Sequence, residues 1–440
     1  MNIQVIKEIP MKIVGLIAEY NPFHNGHLYH IRKAKEITGA DAVVVVMSGD
    51  FVQRGAPAIM PKHIRAEVAL EAGVPLVLEL PVCFSTGSAE YFAEGAVSLF
   101  EHLGCIDSIC FGSECGDYGT LEKIACTITE EPEEYKELLK RYLSQGASFP
   151  LARQWALREY FHDERLSKVL EKPNNILGVE YIKALRRRKS SMKAYTIKRI
   201  VSGYHDDSLN SGYSSASAIR KLLAHSLRLE GSQREEEGLF DEPSLSEALM
   251  RLEQEVPKSC IRFLEETHHI RYPVYANDFS SLLGYKLLTE TSESLTEYLD
   301  VTEELANRIL RHANHLITID QFCQFLKTKD ITYSRISRCL FHILLDIKKK
   351  HMENYRKAGY CQYARVLGFR KEGQRLLSRI KKYSDTPLIT KLSHADTLSE
   401  AGQCMMAGDV FAANLYERIV TEKFKEPFIH EYTQQVVVVK

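Results

Sequence analysis

The six residues "AVVVVM", Ala42 to Met47, contain no polar side chain. Successive side chains of a strand point to opposite faces, so such a run has no face to offer to water. It fits a strand in a sheet covered on both sides, and sheets of that kind are built from parallel strands with helices packed above and below. The pattern recurs: candidate strands at Ile13 to Ala18, Leu76 to Leu80, Ser108 to Phe111 and Ala194 to Ile200 alternate with amphipathic stretches. This predicts a doubly wound, parallel-sheet α/β domain over residues 11–225. Beyond Pro257 the apolar residues fall three and four apart, as in "EELANRILRHA", "SRISRCLFHILLDI" and "EGQRLLSRI", with few strand candidates. That spacing predicts a mostly α-helical domain over 258–440. The intervening residues 226–257 are rich in Glu, Gly, Ser and Pro and read as an acidic linker or insertion.

Two domains are what a chain of 440 residues leads one to expect. No apolar run approaches the roughly 20 residues of a membrane span, so no membrane partner is expected. Met1 to Pro10 lacks the pattern of a secretory signal. The ten cysteines are dispersed without a C-x-x-C pair and read as reduced thiols of a cytoplasmic protein. Cys105, Cys110 and Cys115 are evenly spaced but lack the short ligand spacing of a zinc site, and no protein metal site is expected.

The formal net charge of −1 hides strong segregation. "YIKALRRRKSSMKAYTIKRI", Tyr181 to Ile200, holds eight Lys or Arg and no acid, and Ile331 to Lys391 holds 15 basic against 4 acidic residues. Runs of this kind are solvated faces or binding sites for phosphates.

Chemistry is most concentrated in "NPFHNGHLYH", Asn21 to His30. If the first strand ends near Ala18 and a helix starts near Asn25, the intervening loop lies at the carboxyl end of the strand, where open α/β sheets bind ligands. His24 and His27 then share one face of the first helical turn. Free backbone N–H groups there would attract an anion, Gly26 would let a phosphate approach, and Asn21 and Pro22 would hold the turn. Two imidazoles beside such a nest could donate hydrogen bonds to charge developing on a phosphoryl group. Incidental histidines at a helix start, or metal ligands short of a third partner, are the competing readings.

The surrounding residues resemble the HIGH-type signature of the nucleotidyltransferase superfamily. A second element of that superfamily, a hydroxyl-rich helix start followed by Arg, is similar to "SSASAIR", Ser214 to Arg220. Ser215, Ser217 and Arg220 match its pattern, while Ser214 and Ala216 depart from it. With "GLIAEYNPFHNGH", "SGDFVQRG", "FGSE", "KPNNILGVEY", "KRI", "RVLGFRKEG" and "PLITK" in that order, the chain resembles the bacterial tRNA(Met) cytidine acetate ligase family from Met11 onward. The resemblance implies an enzyme that converts acetate and ATP, with Mg²⁺ on the phosphates, to acetyl-adenylate. It then acetylates the exocyclic amine of the wobble cytidine of elongator tRNA(Met).

On that resemblance, His24 and His27 are the expected catalytic residues. The expected ATP contacts are Ile17, Ala18, Glu19, Tyr20, Asn21, Pro22, Phe23, His24, Asn25, Gly26, His27 and Leu28, with Gly112, Asn174, Arg199, Ser215, Ser217 and Arg220. Asp50, Gln53, Arg54, Lys62 and Arg65 are candidate acetate or phosphate contacts. Arg186, Arg187, Arg188, Lys189, Arg335, Arg338, Lys348, Lys349 and Lys350 are candidate tRNA contacts, with Phe341 and Tyr355 placed to stack on unstacked bases. The nearness of "RRRK" to Arg199 leaves triphosphate binding open for that run. No protein partner is expected. An adenylyltransferase for a small phosphorylated acceptor would share the histidines and the Ser-Arg clamp, and a non-catalytic RNA-binding protein could keep the same scaffold.

Overall fold

The computed structural model describes residues 11–199, 214–224, 226 and 244–440. Strands β1 (Ile13–Ala18), β2 (Ala42–Ser48), β5 (Leu76–Leu80), β6 (Ser108–Ser113) and β7 (Lys193–Lys198) are all parallel and lie in the order β5-β2-β1-β6-β7. In sequence order these are the third, second, first, fourth and fifth strands, the doubly wound arrangement. Its switch point falls between β1 and β6, so a crevice opens at their carboxyl ends. Residue by residue, "AVVVVM" behaves as its composition requires. Val44 and Val46 enter the core on one face of the sheet, Val43, Val45 and Met47 that on the other, and all are buried.

Beyond Pro257 the chain is mostly helical, with one correction. Strand β8 (Ala364–Arg370) pairs antiparallel with β5, and β10 (Val437–Val439) and the short β9 (Leu388–Ile389) pair parallel with β8. The sheet therefore draws strands from both sides of the boundaries expected at 225 and 257. "ARVLGFR" is short and isolated among helices, and only pairing with a distant strand makes it β. The acidic stretch needs correcting too. Residues 227–243 lie outside the described residues, but Leu245–Leu252 is a helix capped by Ser244 and Glu247, with Ala248, Leu249 and Leu252 buried. No helix among the described residues is long and apolar enough to cross a membrane.

A small hairpin, β3 (Phe51–Val52) with β4 (Ala56–Pro57), connects the sheet to the helical part. Phe51 is surrounded by Phe279, Phe341 and Tyr416, at ring-centroid distances of 5.6, 5.8 and 6.1 Å. At the hairpin tip Gly55 has φ +68°, and a Cβ there would stand 2.4 Å from the Arg338 backbone in the Tyr333–Leu344 helix. Only glycine meets both conditions.

Beneath this contact lies a buried ionic cluster. Lys62 Nζ is 2.7 Å from Glu79 Oε1, 2.8 Å from Glu431 Oε1 and 3.8 Å from Asp50 Oδ2. Arg365 on β8 lies 3.0 Å from the other Glu79 oxygen and also pairs with Glu431. Burial works against the Lys62 ammonium and Arg365 repels it, yet Glu431, Glu79 and Asp50 outweigh both and hold its pKa above the ordinary value. Burial likewise opposes the Glu431 carboxylate, but Lys62, His63 and Arg365 hold its pKa far below the usual range.

Removing one partner of such a set leaves buried charge unpaired, at a cost of roughly 3–5 kcal/mol. Lys62→Met should lower the unfolding free energy by about that much in urea denaturation. The double variant Lys62→Met/Glu431→Gln should recover part of the loss, because it removes an orphaned charge. If the double variant is no more stable than the single one, the cluster is not held by these pairings.

Candidate active site

The helix Asn25–Thr38 follows β1, and its first turn is capped by its own histidines. The Gly26 N–H donates to His24 Nδ1 at 3.0 Å, and the His24 N–H donates to His27 Nδ1 at 3.2 Å. The Asn25 N–H donates to Glu255 O, and the His27 and Leu28 N–H groups both donate to His24 O. Every N–H expected to cradle a phosphate here is therefore already bonded. The expectation of a bare anion nest is corrected: burial of this turn required its donors to be satisfied within the protein.

These bonds have a chemical consequence. Because both Nδ1 atoms accept, each neutral ring carries its proton on Nε2. The rings lie against each other with centroids 3.8 Å apart and planes tilted by 32°. Burial lowers the His24 pKa to about 3, with Arg199 and Arg220 adding to the shift. Burial also takes His27 well below its ordinary value, assisted by His24, Arg199 and His30. Both are thus neutral donors near pH 7. Gly26 proves to have a second purpose, since a Cβ there would stand 2.8 Å from the His24 ring.

The remaining motif residues converge on the same crevice. Arg199 follows β7, and its guanidinium lies 3.4 Å from Asn174 Oδ1 at the start of the Pro173–Arg187 helix. Gly112 near the end of β6 faces Arg199, whose Cγ would be 3.1 Å from an added Cβ. Arg220 donates to Asn21 O at 2.7 Å and to Ser217 Oγ at 3.1 Å, and Ser215 Oγ accepts from the Ala218 N–H at the start of the Ala216–Ala224 helix. Ile200 lies outside the described residues.

Several expected contacts are structural. Tyr20 and Phe23 are buried. Asn21 Oδ1 accepts from the Ile59 N–H at 2.8 Å, and Asn25 Nδ2 donates to Gln254 O at 2.7 Å. Glu19 receives the Gln53 N–H at 3.0 Å. Lys62 and Asp50 belong to the ionic cluster, and fully buried Arg65 donates to the carbonyls of Glu19, Ser48, Gly49 and Met60. As contacts for acetate or phosphate, Asp50, Lys62 and Arg65 are therefore corrected: their charges and donors are spent inside the protein.

Two residues take a part that the sequence did not assign them: Glu114 was given none, and His30 was weighed only as a metal ligand beside His24 and His27. Glu114 accepts from Asn174 Nδ2 at 2.7 Å and from the Asn175 N–H at 2.9 Å, so "FGSE" anchors "KPNN". His30, one turn beyond His27, is lowered to about 4 by burial and then by Arg199, against a backbone hydrogen bond at Cys110. The H-x-x-H-x-x-H spacing was its only signal.

The basic runs also look different when folded. Arg186 pairs with Glu130, Arg187 with Glu90 and Glu94, and Arg188 with Glu101. They stand at the far end of the helix that begins near Asn174, about 20 Å away at 1.5 Å per residue. The triphosphate option left open for this run is thereby removed. Arg338 lies near Asp300, Lys348 pairs with Glu297, and Lys349 donates to the carbonyls of Thr296 and Val301. Phe341 and Tyr355 are buried, which corrects their expected stacking role.

Comparison with known proteins places this geometry in context. The profile of the HIGH Nucleotidyl Transferase family matches residues 11–430. The chain is 40% identical over 433 residues to the tRNA(Met) cytidine acetate ligase of Acetivibrio thermocellus, covering 97% of this chain and 100% of that one. It is 43% identical over 393 residues to the protein of that name from Clostridium acetobutylicum, covering 87% and 91%. Two crystal structures of Thermotoga maritima TmcAL, 32% identical, each cover 98% of this chain and are themselves covered completely. The apo form has a TM-score of 0.86, and the form bound with alpha-thio ATP 0.85.

The depressed histidine pKa values predict acid sensitivity. A histidine whose folded pKa lies below its unfolded value of 6.5 gives stability that is full above pH 6.5 and lost as the pH falls toward the folded value, here about 4 for His30. Between pH 6 and 4.5, His30→Phe should reduce the slope of unfolding free energy against pH by about 1.4 kcal/mol per unit. An unchanged slope in urea titrations across this range would show that His30 is not held neutral.

Proposed function

The chain belongs to the HIGH nucleotidyl transferase family and, within it, to the tRNA(Met) cytidine acetate ligases, and we propose on that footing that it activates acetate with ATP and acetylates the wobble cytidine of elongator tRNA(Met). The observation that carries this reading is the convergence of two neutral imidazoles and two guanidinium groups at the switch point of the sheet. An acetate oxygen attacks the α-phosphorus of ATP, the bond to the bridging oxygen breaks, and pyrophosphate leaves. The cytidine amine then attacks the carbonyl of the mixed anhydride, releasing AMP. Neither step requires a covalent enzyme intermediate, so the protein's task is alignment and stabilisation of charge.

In this scheme Arg199 and Arg220 supply fixed positive charge to the phosphates. The Nε2–H groups of His24 and His27 donate to oxygens that gain charge in the transition state. Ile17, Ala18, Gly112, Asn174, Ser215 and Ser217 surround the nucleotide. Among the described residues no three His, Cys, Asp or Glu side chains are grouped to hold a metal ion. In this scheme Mg²⁺ accompanies the triphosphate as its counter-ion. The reaction belongs in the cytoplasm, where tRNA is available.

The tRNA contacts follow from the ion pairing. Lys189, Arg335 and Lys350 make no ion pair among the described residues, whereas phosphates at Arg186, Arg187 or Arg188 must displace carboxylates. We therefore assign the first three the larger share of phosphate contacts.

Incubation with ATP, labelled acetate and total tRNA, followed by nucleoside analysis, should yield acetylated cytidine in the elongator tRNA(Met) fraction. Absence of the product with active wild-type protein would refute the assignment. His27→Ala should slow acetate-dependent pyrophosphate exchange at least roughly 100-fold while ATP affinity changes little, the scale for losing one preorganised donor. Gly26→Ala should slow it too, by displacing the His24 ring. Normal exchange in His27→Ala would remove the imidazoles from the mechanism. The triple variant Lys189→Gln/Arg335→Gln/Lys350→Gln should bind tRNA more weakly, with a log-log salt slope shallower by about 0.7 to 0.9 for each phosphate that is no longer neutralised. An unchanged slope would move the RNA elsewhere.

A further inference from the structure

Large apolar side chains are unusually exposed in one part of the helical region. Leu288 is 83% exposed, Ile317 77%, Tyr285 72% and Phe325 49%. Leu288 and Tyr285 follow Gly284 on the Ser280–Leu287 helix and its end, and Leu316 packs against Gly284, which brings Ile317 alongside. The Ile319–Leu326 helix buries Phe322, Cys323 and Leu326 but leaves Phe325 outside. Phe325 is stacked on His315, with centroids 5.5 Å apart and planes at 25°. His312 meets the edge of Phe325 at 4.8 Å. The result is a three-ring cluster at the surface, with Phe325 half exposed and His315 exposed.

Its charges are mixed but partly spent. From Glu303 to Asp330 there are four Lys or Arg and four acids, and Arg308 is paired with Glu304. The Asp320 carboxylate is already bonded to Asn277 and Tyr333. Arg311 and Lys327 are exposed and, like Lys329, make no ion pair among the described residues. Aromatic faces beside unpaired cations are what an unpaired nucleotide needs: a ring for its base and charge for its phosphate. A duplex would offer only phosphates and would leave the rings without a partner.

The helical part that carries these rings meets the sheet near the crevice. The hairpin that leans on the Tyr333–Leu344 helix lies beside the carboxyl end of β1, through the bond between the Gln53 N–H and Glu19. The helical part thus abuts the end of the sheet where His24 and His27 stand. We propose that His312, His315 and Phe325, with Arg311 and Lys327, form a platform that stacks an unpaired base of the tRNA and holds its phosphate. This rests on the reading that the chain acts on tRNA.

The test compares full-length wild type with Phe325→Ala, Phe325→Trp, Arg311→Gln and Lys327→Gln, measuring tRNA affinity by filter binding and acetate-dependent pyrophosphate exchange in parallel. Phe325→Ala should weaken tRNA binding roughly 10-fold, the scale of removing one base stack. Exchange should be unaffected, and Phe325→Trp should restore binding. Each cation substitution should make the salt slope shallower by about 0.7, the single-strand value. Unchanged tRNA affinity in Phe325→Ala overturns the platform. So does sedimentation showing a wild-type dimer that Phe325→Ala dissolves, since the rings would then be a self-association face. Wild type that binds tRNA through Phe325 but never acetylates it would refute the proposed reaction and leave the platform standing.

Discussion

The pairing of Lys62 and Arg365 with Glu79 and Glu431 is the constraint on which the rest of the molecule depends. Two cations and two carboxylates from four distant places in the sequence share one dry site. A cluster of this kind adds little net stability over apolar packing, but it penalises every arrangement in which one member is missing. It fixes β8 against β5 and thereby the position of the C-terminal helices. The same neighbourhood holds Asp409, which accepts the Val82 N–H at 2.7 Å and pairs with Tyr363.

The crevice depends on that scaffold in a different way. A helix start carries partial positive charge on its N–H groups. Here the Gly26 and His24 N–H groups are bonded to the imidazoles and those of Asn25, His27 and Leu28 to carbonyls, so the rings present their Nε2–H groups in place of the backbone. Keeping both rings neutral avoids placing two more cations beside Arg199 and Arg220. In the proposed reaction, fixed charge on the arginines and directional donation from the histidines divide the work of stabilising a phosphoryl centre.

The RNA-facing readings were the least secure from sequence, for a physical reason. A run such as Arg186 to Lys189 looks uncompensated only because Glu90, Glu94, Glu101 and Glu130 are remote in sequence. Folding brings these carboxylates onto two helices packed against the arginines. Conversely, the three rings of His312, His315 and Phe325 come from segments whose apolar residues read as ordinary core periodicity. Whether a ring of that pattern faces inward depends on a neighbour that only the fold supplies. Phe341 and Tyr355 went inward, and Phe325 did not.

What the sequence determined by itself was the local grammar. The apolar runs set the five parallel strands, and chain direction put the loop after β1 at the carboxyl end of the sheet. Both follow from local pattern, whereas Gly112, Asn174, Arg199, Ser215 and Arg220 entered only through the resemblance to a family. Only the tertiary structure decided that β8 belongs to the sheet, that Lys62 and Arg65 are buried clamps, and that the first-turn N–H groups are already spent. Each of those outcomes depends on pairing across tens to hundreds of residues. Desolvation makes such a pairing compulsory once a polar group is buried, and the sequence does not show in advance which groups will be.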